Sequence, residues 1–300
     1  MGDRTWVIAN PAAGRGEANN DFSLIRSAFA SVGVLNFCAT EVAGHEEKLA
    51  GAAIASGAET IIAVGGDGTC ARVADAILKS GASCQLGMVP TGTGNDFAKV
   101  LGVGTLPVPA IAQLVKRGVS TRIDVGRVDG DYFVNSCGFG FGPSVLGASN
   151  RVRFLKGNAV YIYSALAQLL TYRGFSVSAD SSSDSDARKM LMLTVSNGGF
   201  LGGAFRIAPH ASVLDGELDV GFFGDSSLIG RVRIFAGAFR GTHLGLPSVK
   251  TASARAMTLR FSAPPMMGVD GELRQAPSST VKIECVPRAL NVIAAPGYPL

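Results

Sequence analysis

The segment Gly65-Gly66-Asp67-Gly68-Thr69 has the residue types and spacing best suited to phosphate chemistry. Its three glycines allow a sharp turn and leave no Cβ to obstruct a ligand, and the free amides at the start of a helix attract anions. Asp67 would repel a phosphate unless a cation lay between them. The segment therefore favours a nucleotide bridged by a metal ion, and the alternative is a glycine-rich turn with a surface aspartate.

A second polar loop, Pro90-Thr91-Gly92-Thr93-Gly94-Asn95-Asp96, follows the next predicted strand. It offers two hydroxyls, two flexible glycines, an amide and a carboxylate. On its own it is a generic turn, but beside the first loop it becomes a second wall of a nucleotide site. Together with Asp124, the carboxylates of Asp67 and Asp96 could hold Mg²⁺, which takes oxygen ligands and keeps several waters.

Two acidic segments in the C-terminal half are further candidates. Asp270 and Glu272 flank Gly271, and in an extended segment they would point to the same side. A carboxylate there could accept the proton of a hydroxyl, as phosphoryl transfer to an alcohol requires. The alternative is a hairpin turn at Asp270-Gly271. The segment 215–219 (Asp-Gly-Glu-Leu-Asp) leaves a similar choice between a turn and a loop that binds a hard cation.

Strands alternating with helices over about the first 110 residues predict a parallel sheet with helices on both faces. The predicted strands are 4–9, 34–40, 59–64 and 85–89, and the predicted helices are 46–56, 69–80 and one that Asp21 would cap and Gly33 would end. Ligands of such sheets lie beyond the carboxyl ends of the strands. The loops at Asn10, Thr40, Gly65 and Pro90 all leave such ends, so we expect them to converge on one crevice.

The pattern changes after Arg122, where a hairpin with its turn at Asp129-Gly130 is predicted. A helix at 159–170 interrupts further strands at 175–179, 190–196, 218–223, 256–261 and 280–286, and 181–186 is a polar turn. A mainly antiparallel β domain from near residue 125 follows. Several apolar residues are interpreted as mostly core, with an acyl-chain groove as the alternative: Phe139, Phe141, Val145, Leu146, Tyr161, Tyr163, Leu166 and Leu169.

The composition, 47% hydrophobic and 17% charged residues, is that of an apolar globular protein. No uninterrupted apolar run approaches the roughly 20 residues that span a bilayer, and no secretory segment opens the chain, so we expect a cytoplasmic protein. The net charge of +4 is too small and scattered to indicate nucleic acid, although it would suit loose contact with an anionic membrane. The five cysteines and three histidines show no metal-ligand spacing.

Taken in order, the motifs resemble the diacylglycerol kinase catalytic family, especially the bacterial soluble lipid kinases related to sphingosine and ceramide kinases. The resemblance rests on Asn10-Pro11 with Gly14, Thr40 with Gly44-His45, Gly65 to Thr69, Pro90 to Phe97, Asn135 with Gly138-Phe139-Gly140, Asn197 with Gly202-Gly203, Pro209, Asp215-Gly216 and Asp270-Gly271-Glu272. It implies a fold of class α/β plus β: an NAD-kinase/diacylglycerol-kinase-like nucleotide domain over 1–124 and a β-sandwich lipid domain over 125–286. It also implies a cleft between the domains and a tail, 287–300, that returns to the first.

The same resemblance implies a kinase that uses ATP and Mg²⁺ to phosphorylate a lipid hydroxyl, most simply that of diacylglycerol, at a membrane surface. The residues it implies for ATP are Asn10, Pro11, Ala12, Ala13, Gly14, Thr40, Gly65, Gly66, Asp67, Gly68, Thr69, Arg72, Thr93 and Asn95. Glu272 would be the general base, with Asp270 beside it. Asp67, Asp96 and Asp124 would join the catalytic magnesium network, and a structural magnesium would lie at Asp215 with backbone oxygens of Ser212 and Glu217.

One departure from the family pattern affects the nucleotide loop. The family usually has Asn-Glu where this chain has Ala71-Arg72, so an amide is lost and a charge is reversed. Two alternatives stay open: a small-molecule kinase of the NAD kinase type, and a non-catalytic regulator that binds lipid or nucleotide. A homodimer through the β domain also stays open, because no motif defines one.

Overall fold

The computed structural model describes residues 4–16, 18–149, 151–152, 155, 158–179, 188–298 and 300. The chain divides into two compact units, Met1–Ile123 with Arg288–Leu300, and Asp124–Pro287. The predicted turn at 181–186 lies outside the described residues.

The first unit contains a parallel sheet with alternating helices. Its elements are β1 (Thr5–Ala9), α1 (Ala18–Ser31), β2 (Asn36–Ala39), α2 (His45–Ala55), β3 (Thr60–Gly65), α3 (Asp67–Ser80), β4 (Gln85–Pro90), α4 (Asp96–Val100) and α5 (Val108–Arg117). The strand order is β2-β1-β3-β4, every pair being parallel. Helix α2 packs against α3, and α1 packs against α5. The predicted parallel sheet is therefore confirmed.

The buried pattern of the central strands explains this architecture. Every residue of β3 is buried, as are Val7, Ile8 and Ala9 of β1. Such continuous apolar runs need cover on both faces, which helices provide in βα folds. One boundary prediction was wrong: α1 begins at Ala18, so position 21 lies within the helix and not before its first residue.

The second unit is mainly antiparallel. Its elements are β5 (Thr121–Val128), β6 (Asp131–Phe133), β7 (Ser136–Gly140), α6 (Phe141–Ser149), α7 (Asn158–Thr171), β8 (Phe175–Ala179), β9 (Arg188–Ser196), β10 (Leu218–Gly224), α8 (Leu228–Ala238), β11 (Val249–Ala254), β12 (Ala256–Phe261), β13 (Met266–Val269), β14 (Glu272–Gln275) and β15 (Thr280–Val292). Antiparallel pairs join β7 to β9 and β13, and β9 to β8 and β10. The pairs β12–β15, β12–β8 and β10–β11 complete this arrangement. The predicted antiparallel β region is confirmed.

The predicted hairpin at Asp129-Gly130 is also confirmed. Both turn residues have positive φ, +47° and +100°, and β5 pairs with β6 in the antiparallel sense. Positive φ at both central residues is the geometry that favours an Asp-Gly pair in a two-residue hairpin.

Two buried apolar clusters hold the second unit together. One contains Phe139, Leu193 and Leu259 between strands, and the other contains Phe141, Val145 and Leu169 beneath α6 and α7. The core interpretation is therefore right for Phe139, Phe141, Val145 and Leu169. It is wrong for Tyr163 and Leu166, which are 47% and 49% exposed. The side chain of Tyr161 lies outside the described part of the chain.

Strand β15 begins in the second unit and ends in the first. Its last residues, Asn291 and Val292, pair in parallel with Gln85 and Leu86 of β4. Among its described residues, the first unit thus has five parallel strands, of which β15 supplies the fifth. Among the described residues, no helix is both long enough and apolar enough to cross a membrane.

Candidate active site

The register of the parallel sheet brings the predicted nucleotide loops to one edge. Ala9 of β1 lies opposite both Ala39 and Val64, and Val64 lies opposite Val89. The residues that follow these positions therefore leave the sheet side by side. The amide of Asn10 donates to the carbonyl of Val64 at 2.9 Å, and the amide of Thr40 donates to that of Ala9 at 2.8 Å. The predicted convergence of these loops is confirmed.

The loops after β3 and β4 approach each other at two glycines. A Cβ on Gly92 would lie 2.4 Å from the Cα of Gly66, and a Cβ on Gly66 would lie 3.2 Å from the Cα of Gly92. A side chain at Gly92 would therefore push the two backbones apart. The amide of Thr91 also donates to the carbonyl of Gly65 at 2.9 Å. Glycine is required here because the backbones themselves are in contact.

The second loop is held by its own polar side chains. The Asn95 side chain accepts from the amide of Gly92 at 3.1 Å and donates to its carbonyl at 2.8 Å. Lys99 donates to the carbonyl of Gly94 at 2.9 Å and to Oδ1 of Asp96 at 3.0 Å. Asp67, in the first turn of α3, accepts from the amide of Phe97 at 3.0 Å. These bonds connect the two loops and fix the backbone that would face a ligand.

A hydrogen-bonded group joins the loop after β1 to α2 and α3. Nδ2 of Asn10 lies 3.0 Å from Oε1 of Glu46 and 3.1 Å from Oγ1 of Thr69. The Thr69 hydroxyl also lies 3.3 Å from Oε1 of Glu46. Oδ1 of Asn10 accepts from the amide of Ala12 at 2.9 Å, which shapes the loop 10–14. Asn10 and Thr69, both predicted from the sequence, are therefore part of one group.

Glu46 is a member of this group that the sequence reasoning missed. It is only 3% exposed, although it lies in the first turn of a helix. An acidic residue at that position usually faces solvent and complements the helix dipole. The available signal was the spacing of Glu46, Ala50 and Ala53, which form the buried stripe of α2. Arg72 lies on the same side, with Nη1 3.0 Å from the Cβ that a residue at Gly44 would carry.

The remaining predicted nucleotide residues lie at the same edge. Pro11, Ala13 and Gly14 are partly exposed, Ala12 and Thr93 are exposed, and Gly68 lies in the first turn of α3. The side chains that the sequence predicts for ATP in the first unit thus surround the carboxyl ends of β1, β2, β3 and β4.

In the second unit, Asp270-Gly271 forms the hairpin turn between β13 and β14, with φ of +45° and +83°. This selects the hairpin over the extended segment. The Asp270 carboxylate is 4% exposed and accepts three backbone amides: Val134 at 2.7 Å, and Asn135 and Ser136 each at 2.9 Å. Burial raises the pKa of Asp270 to about 6, although these three hydrogen bonds act in the opposite direction.

Glu272, the first residue of β14, has a different environment. Its side chain is 28% exposed, and Oε2 lies 3.6 Å from Nη2 of Arg274. Nη1 of Arg274 in turn contacts Oδ2 of Asp131 at 3.1 Å. Leu273, the next residue, lines a groove of about 750 Å³ with Phe139, Phe175 and Phe261. The Glu272 carboxylate thus lies beside an arginine, and the next residue of its strand lines an aromatic groove.

The acidic segment after Val213 forms a turn. Oδ2 of Asp124 accepts from the amide of Gly216 at 2.6 Å, and Oδ1 of Asp215 accepts from the amide of Glu217 at 3.0 Å. The Ser212 hydroxyl accepts from the amide of Leu214 at 3.3 Å. Burial, reinforced by the charge of Asp215, raises the pKa of the neighbouring Asp219. The structure therefore shows a turn with several carboxylates around it.

No group of three or more His, Cys, Asp or Glu side chains that could hold a metal ion occurs among the residues that the structure describes. An all-protein metal cage is therefore not found there. Mg²⁺ in phosphoryl-transfer enzymes, however, is commonly bound through one or two carboxylates together with substrate phosphates. Asp67 at the N-terminus of α3 fits that smaller requirement, whereas Asp96 is already ion-paired with Lys99.

The sheet with convergent loops and the β region with a buried acidic hairpin each match a family model. The diacylglycerol kinase catalytic domain model matches residues 4–128, and the YegS C-terminal NAD kinase β-sandwich-like domain model matches residues 135–294. The chain belongs to the diacylglycerol kinase family, whose members are kinases with an alcohol group as acceptor.

Curated relatives match over most of their length. The diacylglycerol kinase of Bacillus subtilis is 27% identical over 271 residues, which cover 90% of this chain and 89% of that protein. A Pseudomonas putida protein named "Probable lipid kinase YegS-like" is 30% identical, covering 89% of this chain and 88% of its own. A crystal structure of a diacylglycerol kinase from Bacillus anthracis has a TM-score of 0.73 at 21% identity, covering 98% of this chain and 97% of that one. At that identity the structural match shows the fold.

Proposed function

We propose that this chain transfers the γ-phosphoryl group of ATP, with Mg²⁺, to the hydroxyl of diacylglycerol or a related lipid. The single observation that carries the proposal is the convergence of four loops at one sheet edge, where the loops after β3 and β4 meet at Gly66 and Gly92. The N-terminal amides of α3, which follows Gly66, suit the phosphates of a nucleotide. Arg72, one turn into α3, is a further candidate to contact phosphate.

Asp67 is the residue most suited to hold Mg²⁺ with the nucleotide, with Asp96 and Asp124 as the other candidates. Bound there, the ion would neutralise charge on the phosphates. Asp215, with Ser212 and Glu217, is the candidate for a separate structural ion. These assignments rest on the oxygen ligands that the carboxylates and the backbone of Ser212 and Glu217 offer, and on the resemblance to the family.

We assign the role of general base to Glu272. The lipid oxygen forms a bond to the γ-phosphorus, the bond from that phosphorus to the β–γ bridging oxygen breaks, ADP leaves, and the hydroxyl proton passes to the Glu272 carboxylate. Asp270 is less suited, because its side chain is buried and both of its oxygens already accept backbone amides. These contacts support the role of a positioning residue, which holds the hairpin that carries Glu272.

The groove beside Leu273 supports a lipid acceptor. Its walls include Phe139, Phe175, Phe261 and Met266, and its volume of about 750 Å³ is in the range of small-molecule sites. An acyl chain in this groove would place its headgroup near the strand that carries Glu272. Apolar walls do not distinguish one acyl chain from another, so the proposed acceptor is a class of molecule, a lipid with a hydroxyl group.

The test is transfer of labelled phosphate from ATP to a panel of diacylglycerol, ceramide, sphingosine, phosphatidylglycerol and NAD. We expect a lipid to be phosphorylated, and Glu272→Gln to lower kcat by about a hundredfold or more, as loss of a general base does. The matched control is Glu284→Gln, since Glu284 is also a partly exposed strand carboxylate paired with an arginine. Equal activity of wild type and Glu272→Gln would contradict the assigned base, and transfer to NAD alone would replace the lipid by a dinucleotide.

A further inference from the structure

Glu46 carries a buried oxygen that the hydrogen bonds of the described residues leave unused. Oε1 is occupied by the side chains of Asn10 and Thr69. Oε2 is buried and has no hydrogen-bond partner, in a side chain that is 3% exposed. A buried acceptor of this kind is costly unless something donates to it. The position therefore calls for a donor that arrives with a ligand.

The contacts of Glu46 with Asn10 and Thr69 indicate that this donor belongs to a ligand of the nucleotide loops. Asn10 begins the loop after β1, and Thr69 lies in the first turn of α3, immediately after the glycines. Their contacts with Oε1 hold the carboxylate in one orientation, so Oε2 has a defined direction. The ligand that reaches Oε2 is thus one bound by these same loops.

The charge of Glu46 decides which part of a nucleotide can reach it. A carboxylate and a phosphate repel each other, and a triphosphate has no hydrogen to donate at neutral pH. The donors of ATP are its two ribose hydroxyls and the adenine amino group. The phosphates suit the N-terminal amides of α3 instead, because those amides attract anions.

We propose that Glu46 is a nucleoside-binding residue whose free Oε2 accepts a hydrogen bond from the ribose or adenine of the bound nucleotide. The proposal rests on the proposed function, because it takes ATP as the ligand of these loops. Asn10 and Thr69 act as positioning residues for Glu46. The phosphate half of the nucleotide is then bound independently of Glu46.

The test compares binding of ATP and of inorganic tripolyphosphate by calorimetry at fixed Mg²⁺. Glu46→Gln keeps one oxygen for Asn10 and Thr69 and puts an NH₂ donor where Oε2 stands. We expect it to weaken ATP binding about tenfold or more and to change tripolyphosphate binding less than about twofold. Glu47→Gln is the matched control, since Glu47 is the next residue of α2 and is exposed. The proposal would be overturned if Glu46→Gln weakened the binding of ATP and tripolyphosphate equally, or if it weakened the binding of neither.

A second measurement uses the unaltered protein and does not depend on the folding of a variant. Purine riboside triphosphate lacks the amino group, and 2′,3′-dideoxy-ATP lacks both hydroxyls. We expect one of the two to bind at least tenfold more weakly than ATP, and equal binding of all three nucleotides would overturn the proposal. A wild-type chain that binds ATP and phosphorylates lipid, with a Glu46→Gln variant that behaves identically, refutes only this inference. A wild-type chain that does not bind ATP refutes the proposed function with it.

Discussion

Burial and hydrogen bonding have opposite effects on the pKa of the Asp270 carboxyl group. Three amides of the segment 134–136 donate to it, and its own amide donates to the carbonyl of Ser136 at 2.9 Å. These bonds fasten the β13–β14 hairpin to the start of β7. At the residue scale, the ionisation of Asp270 should therefore affect the stability of the second unit and the position of Glu272 together.

The pKa of Asp270 leads to a prediction about pH and stability. The folded value is raised from 3.8 to about 6, so the neutral acid favours the folded state. Stability from this group is fully present below about pH 4 and is lost as the pH rises through 6, by about 3 kcal/mol in total. We expect the free energy of unfolding of wild type minus that of Asp270→Asn, measured in urea, to fall between pH 4 and pH 7. A difference that stays constant or rises would mean that the three amides determine the pKa instead.

Helices α7 and α8 carry apolar side chains on their exposed sides as well as on their buried sides. The two helices pack against each other over the buried cluster that contains Ala165, Leu169, Ile234 and Ala238. Their opposite sides are exposed and apolar. The residues of this apolar face are Tyr163, Leu166 and Leu170 on α7, and Leu228, Ile229 and Val232 on α8. The exposed Arg173, Arg233 and Arg240 lie in or next to the same helices.

We propose that this apolar face rests on an anionic membrane surface, where the lipid acceptor is found. Removing apolar side chains from water lowers the free energy of the system. Each arginine near an anionic surface adds about 1 kcal/mol to the free energy of membrane binding. The combination of an exposed apolar face and flanking positive charge is typical of helices that lie in the membrane interface.

The prediction is that Leu170→Asp with Ile229→Asp lowers the fraction of protein bound to phosphatidylglycerol-containing vesicles at least fivefold in a flotation assay. Both side chains are about equally exposed, 70% and 69%, so the change should leave the core intact. Val119→Asp is the matched control, because Val119 is also 70% exposed but lies in the first unit, between α5 and β5. The proposal would be contradicted if the control lost vesicle binding equally, or if the wild-type protein did not bind anionic vesicles.

At the scale of the whole molecule, the chain crosses between its two units and returns. The returning segment buries Leu290, Val292 and Ile293 in the first unit. The amide of Ile293 donates to the carbonyl of Leu86, and that of Ala295 donates to the carbonyl of Leu101, each at 2.9 Å. The first unit is therefore completed only when the last residues of the chain have been added.

Truncation tests this dependence. Removal of residues 289–300 should destabilise the first unit by several kcal/mol, since three fully buried aliphatic side chains contribute about 1.5–3 kcal/mol each. We expect a lower thermal midpoint and loss of ATP binding. Leu35→Ala, at a 72% exposed position of the same unit, is the control and should leave both unchanged. A truncated chain with the wild-type midpoint would show that the β4 edge needs no fifth strand.

Much of the fold could be predicted from local patterns. Short, largely apolar runs followed by turn-forming residues indicated β1, β3 and β4, and the Asp-Gly pair at 129–130 indicated its hairpin. Helices α4, α5, α6 and α8 were missed. The sequence of α6 contains Gly142, Pro143 and Gly147, which are poor helix formers, so packing against α7 rather than propensity stabilises it.

The sequence by itself determined the alternation of strands and helices in the first unit, the loops that carry polar residues, and the family, because these depend on short-range patterns and on motif order. Only the tertiary structure decided that the Asp270 carboxylate accepts hydrogen bonds from three backbone amides. It also decided that Glu46, in the first turn of α2, is buried beside Asn10 and Thr69. The physical reason is distance along the chain: Glu46 and Asn10 are 36 residues apart, and Asp270 and Val134 are 136 apart. The environment of each carboxylate is created by residues that only the fold brings into contact with it.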